Sequence, residues 1–305
     1  MPEQVTELPD VLVLGAGGTL GEAWMRGVLS GLESASGLDF RRCEYLLGTS
    51  AGSIVAAVLA AGRRLEAGDR AARAWGAEAG DEPVQGALGR LARGAGRVGA
   101  AAAAPFAPLT LAALGPVGAA GRAAALAAVP HTGRRLGGLG RHLEGLGGTF
   151  DGRLRIAAVD RRRGRRVLFG APGAPPARVS EAVLASCAVP WVFAPVEIGG
   201  REYVDGGVWS PGNLDAAPGG RGARVLCLLP TGGAAGPAAL RAATTASLAA
   251  EELALKARGM RVRTIVPDAA SAAAMGAALM DQSRVEDVLD AAFPQGRALA
   301  TRASA

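Results

Sequence analysis

Short apolar runs alternate along the chain with longer segments in which apolar residues recur at helical spacing. The short runs are typical of buried strands and the longer pattern is typical of amphipathic helices. The predicted strands are residues 10–14, 45–47, 154–159, 167–169, 196–198, 201–204, 225–229 and 262–266. The predicted helices are residues 22–32, 54–61, 181–187 and 240–258, followed by two closing helices. This alternation predicts an α/β protein, built as a three-layer α/β/α sandwich with a largely parallel central sheet.

Two helix starts carry recognisable capping residues. Ser180 precedes the helix predicted at 181–187, and we expect its hydroxyl to cap that helix. Ser283 and Glu286 have the spacing of a capping box, which predicts that the last helix begins at Ser283.

The pattern weakens between residues 76 and 148, where Ala, Gly, Arg and Pro dominate. Residues 98–121 are 24 positions without a charge, which is long enough to span a bilayer. They are mostly Ala and Gly and include three prolines, so the hydropathy favours a helical cap over an apolar cleft instead. We therefore predict one domain at 8–270 with a cap-like insert at about 76–148, then C-terminal helices and a tail at 271–305.

One candidate for chemistry is the segment Gly48-Thr49-Ser50-Ala51-Gly52. It lies between a predicted strand and a predicted helix, which is the context of a nucleophile elbow. Gly48 and Gly52 remove the side chains that would clash in so sharp a turn. Ser50 would then lie at a helix N-terminus, where free N–H groups favour a developing negative charge.

A second glycine-rich turn follows the first predicted strand, at residues 15–21. A dinucleotide-binding fingerprint would need a third glycine where Leu20 stands, so that interpretation is disfavoured. The alternative is an oxyanion loop that serves Ser50 from the neighbouring strand.

A serine nucleophile needs a base, and the histidines are too early in the chain to supply the usual one. Both His131 and His142 precede the best acid candidate, whereas the α/β-hydrolase order ends in histidine. Asp205 ends a predicted strand and is followed by Gly206 and Gly207, so its carboxylate can face a cleft with little cover. An aspartate in a dry cleft can itself accept the serine proton.

Several ordered segments together resemble the patatin-like phospholipase family. They are the glycine loop 16–21, the elbow 48–52, the basic hairpin with Arg161 to Arg166, Ala185-Ser186-Cys187-Ala188-Val189-Pro190, and Asp205-Gly206-Gly207. The resemblance covers about residues 11–267. It implies that Ser50 is the nucleophile and Asp205 its proton acceptor. It also implies an oxyanion hole at Gly17, Gly18 and Thr19, with no catalytic histidine, metal or cofactor.

The implied activity is hydrolysis of carboxylic esters of lipids, as in a phospholipase A, lysophospholipase or lipase. The family loop usually reads Gly-Gly-Gly-x-Arg/Lys-Gly, whereas Ala16 and Leu20 stand at its first glycine and its basic position here. Backbone N–H groups survive both changes, so we expect the oxyanion hole to be kept. Three alternatives stay open: an acyltransferase using the same two residues, a non-catalytic lipid-binding module, and a nucleotide-binding protein.

The net charge of +6 comes from arginine, since all 33 basic residues except Lys256 are Arg. A GC-rich coding sequence explains this most simply, with lipid headgroups as a second explanation. The arginines are spread along the chain without aromatic interleaving, which argues against nucleic-acid binding. The arginine-rich tip of the hairpin predicts either a solvated turn or an anion contact.

Cys43, Cys187 and Cys227 are widely spaced in apolar surroundings, which predicts buried, reduced thiols. No signal peptide is evident, so the predicted location is cytoplasmic, with peripheral membrane contact as a further option. The predicted partner is a lipid or acyl-ester substrate, and the sequence does not indicate an oligomeric state.

Overall fold

A mixed sheet of eight strands organises the part of the chain that the computed structural model describes, which is residues 4–65, 118–128, 134–236 and 238–300. The strands are β1 (Val11–Leu14), β2 (Tyr45–Thr49), β3 (Leu154–Asp160), β4 (Arg165–Phe169), β5 (Val196–Ile198), β6 (Arg201–Asp205), β7 (Arg224–Leu228) and β8 (Arg261–Ile265). Their order is β5-β6-β3-β2-β1-β7-β8, with β4 paired to β3. All the predicted strands are present, with ends shifted by at most two residues.

The interior of the sheet is parallel. β1 pairs in parallel with β2 and β7, β2 with β3, and β7 with β8. The antiparallel strands β4, β5 and β6 gather beyond β3. Every residue of β1 is buried, as expected of a parallel strand that helices cover on both faces.

Strand β3 is shared by three partners. β4 lies along one side of it, from Ile156 to Asp160. On the other side, β2 pairs with its first half up to Ala157, and β6 pairs with its second half from Ala158 onward. Because β2 and β6 run in opposite directions along the same side of β3, their C-terminal ends meet next to Ala157 and Ala158.

Helices cover both faces of the sheet. They are α1 (Gly18–Ser36), α2 (Ala51–Ala60), α3 (Ala119–Ala128), α4 (Gly137–Leu146), α5 (Val179–Ser186), α6 (Ala238–Ala257), α7 (Ala269–Met275) and α8 (Val285–Leu299). Leu12 and Leu14 of β1 join the apolar core with α1, α2, α5 and α8, whereas Val11 and Val13 join a second core with Leu255 of α6. The predicted three-layer α/β/α class is confirmed.

Two predicted caps are wrong. Helix α5 begins at Val179, with Arg178 at its N-cap and the Arg178 N–H donating to Glu181 Oε2 at 2.8 Å, so Ser180 lies inside the helix. Before α8, the carboxylate of Asp281 accepts from Ser283 N at 3.1 Å and caps a 3₁₀ turn. In both cases an acidic side chain accepts one backbone N–H at the turn, Glu181 that of Arg178 and Asp281 that of Ser283, and the predicted serine is not the cap.

The predicted cap insert is only partly within the described residues. α3 and α4 fall in it, and His142 lies on α4, whereas His131 and residues 66–117 lie outside the described ranges. No helix in the described ranges combines the length and the apolar character that crossing a bilayer requires. The predicted division of the chain at residue 271 stays a prediction.

The three cysteine thiols are buried and free, as predicted. Burial raises the pKa of Cys43 to about 12 and also raises those of Cys187 and Cys227. These thiols are therefore protonated at neutral pH and are not nucleophiles.

Candidate active site

The turn between β2 and α2 has the backbone of a nucleophile elbow. Ser50 is the N-cap residue of α2 and has φ 51° and ψ −122°, a region that non-glycine residues rarely adopt. A Cβ on Gly48 would collide with Ser53 Cα, and one on Gly52 would collide with the Leu14 carbonyl. Glycine at these two positions is therefore needed for the turn to close against its own helix and against β1.

The side chains of Ser50 and Asp205 meet in this turn. The Ser50 hydroxyl donates a hydrogen bond to Asp205 Oδ2 at 2.6 Å, across 155 residues of sequence. The second carboxylate oxygen, Oδ1, accepts the backbone N–H of Gly207 at 2.7 Å. The contact follows from the shared strand, because Thr49 ends β2 opposite Ala157 and Asp205 ends β6 opposite Ala158.

Burial favours the neutral, protonated form of the Asp205 carboxyl group. The side chain is fully buried, and its desolvation raises the pKa from 3.8 to about 7. The hydrogen bonds from Ser50 and Gly207 oppose this rise. A carboxylate with such a pKa is a much better proton acceptor near pH 7 than an ordinary aspartate.

Gly206 allows the strand end to approach β3. A Cβ at this position would collide with the Ala157 carbonyl, so any other residue would push Asp205 away from Ser50. The backbone N–H of Asp205 donates to Ala188 O at 3.0 Å, which fixes the strand end from its other side. The glycines that flank Ser50 and Asp205 therefore allow the surrounding backbone segments to approach closely.

A buried asparagine that the sequence did not single out fastens the loop after β6 to the end of β2. Asn213 is fully buried, and its Nδ2 lies 3.2 Å from Thr49 Oγ1, 3.2 Å from Gly206 O and 2.7 Å from Ser210 O. Its Oδ1 accepts from Arg166 Nη1 at 3.2 Å. Asn213 thus cross-links the residues that precede Ser50 and follow Asp205.

Two further serines were missed as parts of the site. Ser53 Oγ donates to the Ser50 carbonyl at 2.6 Å, within the first turn of α2. Ser186 Oγ accepts the Ser50 N–H at 2.8 Å and donates to Ala157 O at 2.6 Å. For Ser186 the sequence singles out only the surrounding Ala-Ser-Cys-Ala-Val-Pro segment, because a buried serine carries no signal in the hydropathy pattern.

The glycine loop between β1 and α1 presents a row of free amides. The N–H groups of Gly17, Gly18 and Thr19 have no hydrogen-bond partner among the residues that the structure describes, whereas those on either side, of Ala16 and Leu20, bond to Pro211 O and Leu279 O. Gly18 has φ +61° at the start of α1. Three free N–H groups at a helix N-terminus form a site suited to an anion.

The loop lies beside the elbow. Leu14 and Gly48 are opposite one another in neighbouring parallel strands, and Gly52 N donates to Gly15 O at 3.2 Å. The N–H of Ala51, directly after the serine, also has no partner within the described ranges. In serine hydrolases an oxyanion hole commonly combines that amide with one from a neighbouring loop.

The two departures from the family loop have structural explanations. Leu20 is fully buried in the core that contains α1, so this position faces away from solvent and has no room for a hydrated cation. Ala16 is 7% exposed and donates its N–H to Pro211 O at 2.8 Å. Neither change removes an amide from the row at 17–19.

The basic hairpin is partly neutralised. Arg161 pairs with Glu202 at 2.8 Å, and Arg166 pairs with Asp215 at 2.5 Å. Arg162 is exposed at the tip. The predicted anion contact at this tip stays a prediction.

A surface cavity of about 640 Å³ lies far from these residues. Asp10, Glu44, Tyr45 and the turn 219–223 line it, at the end of the sheet where β1 and β2 begin. It contains no paired nucleophile and base, and ligands of parallel α/β sheets bind at the opposite, carboxyl ends of the strands. The Ser50 region is therefore the better candidate for chemistry.

Comparison with protein families agrees with this geometry. The model of the family described as patatin-like phospholipase matches residues 12–218, a stretch that contains the glycine loop, the elbow and Asp205. A search of curated proteins finds no match to the chain. The matched stretch is more than half of the 305 residues, and the resemblance expected from the sequence is confirmed. The chain belongs to the patatin-like phospholipase family, which is a family of lipid acyl hydrolases.

Proposed function

We propose that this protein is a serine hydrolase that cleaves carboxylic esters of lipids, with Ser50 as nucleophile and Asp205 as its base. The observation that carries the proposal is the 2.6 Å hydrogen bond from the Ser50 hydroxyl to a fully buried carboxylate. Such a short bond to a desolvated acceptor is the arrangement that direct proton transfer requires.

In the acylation step, Ser50 Oγ attacks the ester carbonyl carbon while its proton passes to Asp205 Oδ2. The carbonyl oxygen becomes an oxyanion, and the amides of Gly17, Gly18 and Thr19 donate to it. Each well-placed donor of this kind is typically worth about 3 kcal/mol of barrier. Collapse of the tetrahedral intermediate breaks the ester C–O bond, and Asp205 returns the proton to the departing alcohol oxygen.

In the deacylation step, water takes the place of the alcohol. Asp205 accepts a proton from the water as its oxygen attacks the acyl-Ser50 carbonyl. The second tetrahedral intermediate releases the free fatty acid, and Asp205 gives the proton back to Ser50 Oγ. The same carboxyl group thus acts alternately as base and acid, which a pKa of about 7 favours.

The test combines covalent labelling with turnover. A fluorophosphonate probe should label the wild-type protein and not Ser50→Ala, and hydrolysis of a panel of phospholipids, lysophospholipids, glycerides and short acyl esters should be lost in the same variant. Ser180→Ala is the matched control. Ser186 is the serine of α5 that contacts Ser50, and Ser180 lies about 9 Å from it along the helix.

Asp205→Asn tests the base. Asn is nearly isosteric, so we expect a folded protein whose turnover is reduced by at least about 10³-fold, because the general base is gone. Asp290→Asn, on the exposed surface of α8, is the control. Labelling of Ser50→Ala, or ester hydrolysis by Asp205→Asn near the wild-type rate, would contradict the proposal.

A further inference from the structure

We infer that Ser186 is a positioning residue whose hydroxyl is inserted between β2 and β3, opening the ladder at the point where Ser50 must turn toward Asp205. The inference deepens the proposed function, since it concerns how the same two side chains are brought together. It rests on the register of the strands and on the contacts of one segment, residues 186–188.

The register shows which hydrogen bond is replaced. Leu46 N donates to Arg153 O at 3.1 Å at the start of the parallel β2–β3 pairing, and the pairing continues to Thr49 opposite Ala157. Hydrogen bonds from one parallel strand to the next recur every second residue. By that period, the rung that would follow joins Ser50 N to Ala157 O.

A hydroxyl occupies this rung. Ser50 N donates to Ser186 Oγ at 2.8 Å, and Ser186 Oγ donates to Ala157 O at 2.6 Å. A direct bond would hold the amide nitrogen and the carbonyl oxygen about 2.9 Å apart, whereas two bonds through one oxygen hold them roughly 4 to 5 Å apart. The inserted hydroxyl thus separates β2 from β3 by more than one ångström at this point and still satisfies both backbone groups.

The separation occurs where the chain changes direction. Ser50 has φ 51°, so its backbone leaves the extended conformation that a continued ladder would impose. One residue farther along β3, Ala158 pairs with Asp205 of β6. Opening the rung at Ala157 therefore lets β2 and β6 both end at this point on the same side of β3, which is what places the two side chains in contact.

The end of α5 holds both partners. Ser186 binds the Ser50 N–H, and two residues later the Ala188 carbonyl accepts the Asp205 N–H at 3.0 Å. Between them, Cys187 Sγ lies 3.8 Å from Ser53 Oγ in the first turn of α2. A single turn of chain thereby fixes the main chain on each side of the hydrogen bond between Ser50 and Asp205.

Ser186 does not act as a second nucleophile. Its hydroxyl proton is donated to a backbone carbonyl, which is too weak a base to remove it, and its oxygen already accepts the Ser50 N–H. The side chain is fully buried. Its role is therefore exerted through the position of Ser50.

The first test compares Ser186→Ala, Ser186→Thr and Ser180→Ala in steady-state ester hydrolysis. We expect Ser186→Ala to lower kcat by about 10- to 100-fold with KM changed less than about threefold, because a misplacement of about 1 Å costs up to this much. Ser186→Thr keeps the hydroxyl and should restore most of kcat, and Ser180→Ala should equal wild type. Wild-type kcat in Ser186→Ala would overturn the inference.

The second test is the acid limb of the pH–rate profile, which a purely structural role of Ser186 would not shift. The hydrogen bond from Ser50 lowers the pKa of Asp205, against the effect of burial. If Ser186→Ala moves Ser50 away, that pKa rises and the acid limb of the pH–rate profile shifts to higher pH. An unshifted limb with a reduced kcat would overturn the inference.

A crystal structure of Ser186→Ala decides the matter independently of activity. We expect Ser50 N and Ala157 O to close toward a direct bond and the distance from Ser50 Oγ to Asp205 Oδ2 to lengthen. An unchanged 2.6 Å contact would overturn the inference. If Ser186→Ala does not fold, Ser186→Cys takes its place in the comparison. Because a thiol is a weak hydrogen-bonding group, kcat of Ser186→Thr should then exceed that of Ser186→Cys by about tenfold. Equal kcat values for these two variants would overturn the inference.

The two proposals fail in different ways. Turnover and labelling that persist in Ser50→Ala reject the proposed hydrolase chemistry, and the Ser186→Ala coordinates still test the positioning role. Loss of activity in Ser50→Ala together with a fully active Ser186→Ala rejects the positioning role alone.

Discussion

Two neighbouring turns in this molecule have similar sequences and use their amides in opposite ways. Both the β1–α1 loop and the β2–α2 elbow follow a buried parallel strand, contain several glycines and open a helix. In the elbow, the N–H groups of Ser50, Gly52 and Ser53 are all bonded, to Ser186 Oγ, Gly15 O and Ser50 O. In the loop, the three N–H groups at 17–19 are free within the described ranges.

The two turns are also supported from different parts of the chain. The elbow is held by β1, β3 and α5, which lie inside the stretch that matches the family. The loop bonds to Pro211 inside that stretch and is also held by residues beyond it: Pro230 lies against Gly17, and Leu279 and Met280 lie against Gly18. The comparison teaches that the nucleophile's own backbone is held by hydrogen bonds, although the next amide, of Ala51, stays open within the described ranges, whereas an anion site needs a row of open amides supported by other segments.

Breaking the elbow should have the largest effect. In Gly52→Ala the new methyl meets the backbone of Leu14, which cannot move without disturbing the central strand. We expect a loss of about 3 kcal/mol or more in the free energy of unfolding, since overpacking against backbone is at the costly end of such changes. Urea denaturation measures it.

The control for this change is Gly145→Ala on α4, where an added Cβ meets nothing within 4 Å. A helical glycine replaced by alanine should gain up to about 1 kcal/mol. Equal stability of Gly52→Ala and wild type would show that the turn tolerates a side chain at this position.

Disturbing the loop should cost activity more than stability. In Gly18→Ala the methyl would lie 2.8 Å from Leu279 O and from Met280 Sδ, at a residue with φ +61°. The loop must shift, and we expect kcat to fall by about 100-fold, as when one oxyanion donor is lost. The double variant Gly18→Ala/Met280→Ala removes one of the two collisions and should recover part of kcat. Full activity of Gly18→Ala would argue against an oxyanion role for this loop.

The pH dependence of turnover distinguishes the carboxylate from the amides, which do not titrate. With a pKa of about 7 for Asp205, the ionised base is depleted about tenfold for each unit below that value. We therefore expect kcat/KM to rise with pH and to level off above about 7. An acid limb near pH 4 would contradict a raised pKa for the group that must be ionised.

The same shift predicts a smaller effect on stability. Because the pKa is raised on folding, between pH 3.8 and about 7 the folded protein holds a proton on Asp205 that the unfolded chain has released. Stability is therefore lost as pH rises through this window, by at most about 1.4 kcal/mol per pH unit. Asp205→Asn should remove this contribution, so the stability of this variant relative to wild type should grow from pH 5 to about pH 7 and then level off. A constant difference in urea denaturation would contradict the shift.

The sequence alone predicts those features that depend on residues close together in the chain. Glycines at 48 and 52 and a serine between strand and helix predict the elbow, and the early position of both histidines directs attention to Asp205. The alternation of strands and helices was enough for the sheet. Gly17, Gly18 and Thr19 were proposed through the family resemblance, and their free amides are consistent with it.

Contacts between distant segments could not be predicted in this way. Ser186 and Asn213 are buried polar residues whose partners are fixed only by the register of β3 and the turn after β6. Local capping rules also failed at Ser180 and Ser283, where Glu181 accepts the N–H of Arg178 and Asp281 accepts that of Ser283. The partners of Ser186 and Asn213 are visible only once distant segments are in place, whereas the acidic groups that displace the two serines lie within two residues of them.

The support of the glycine loop by Leu279 has a consequence for synthesis. The loop is translated among the first twenty residues, but the carbonyl that receives Leu20 N at 3.0 Å is translated some 260 residues later. During translation the elbow can therefore acquire its contacts before the loop does. If the proposed function is correct, we expect a nascent chain to remain unable to hydrolyse esters until Leu279 has emerged from the ribosome, which would keep the hydrolase inactive while it is being made.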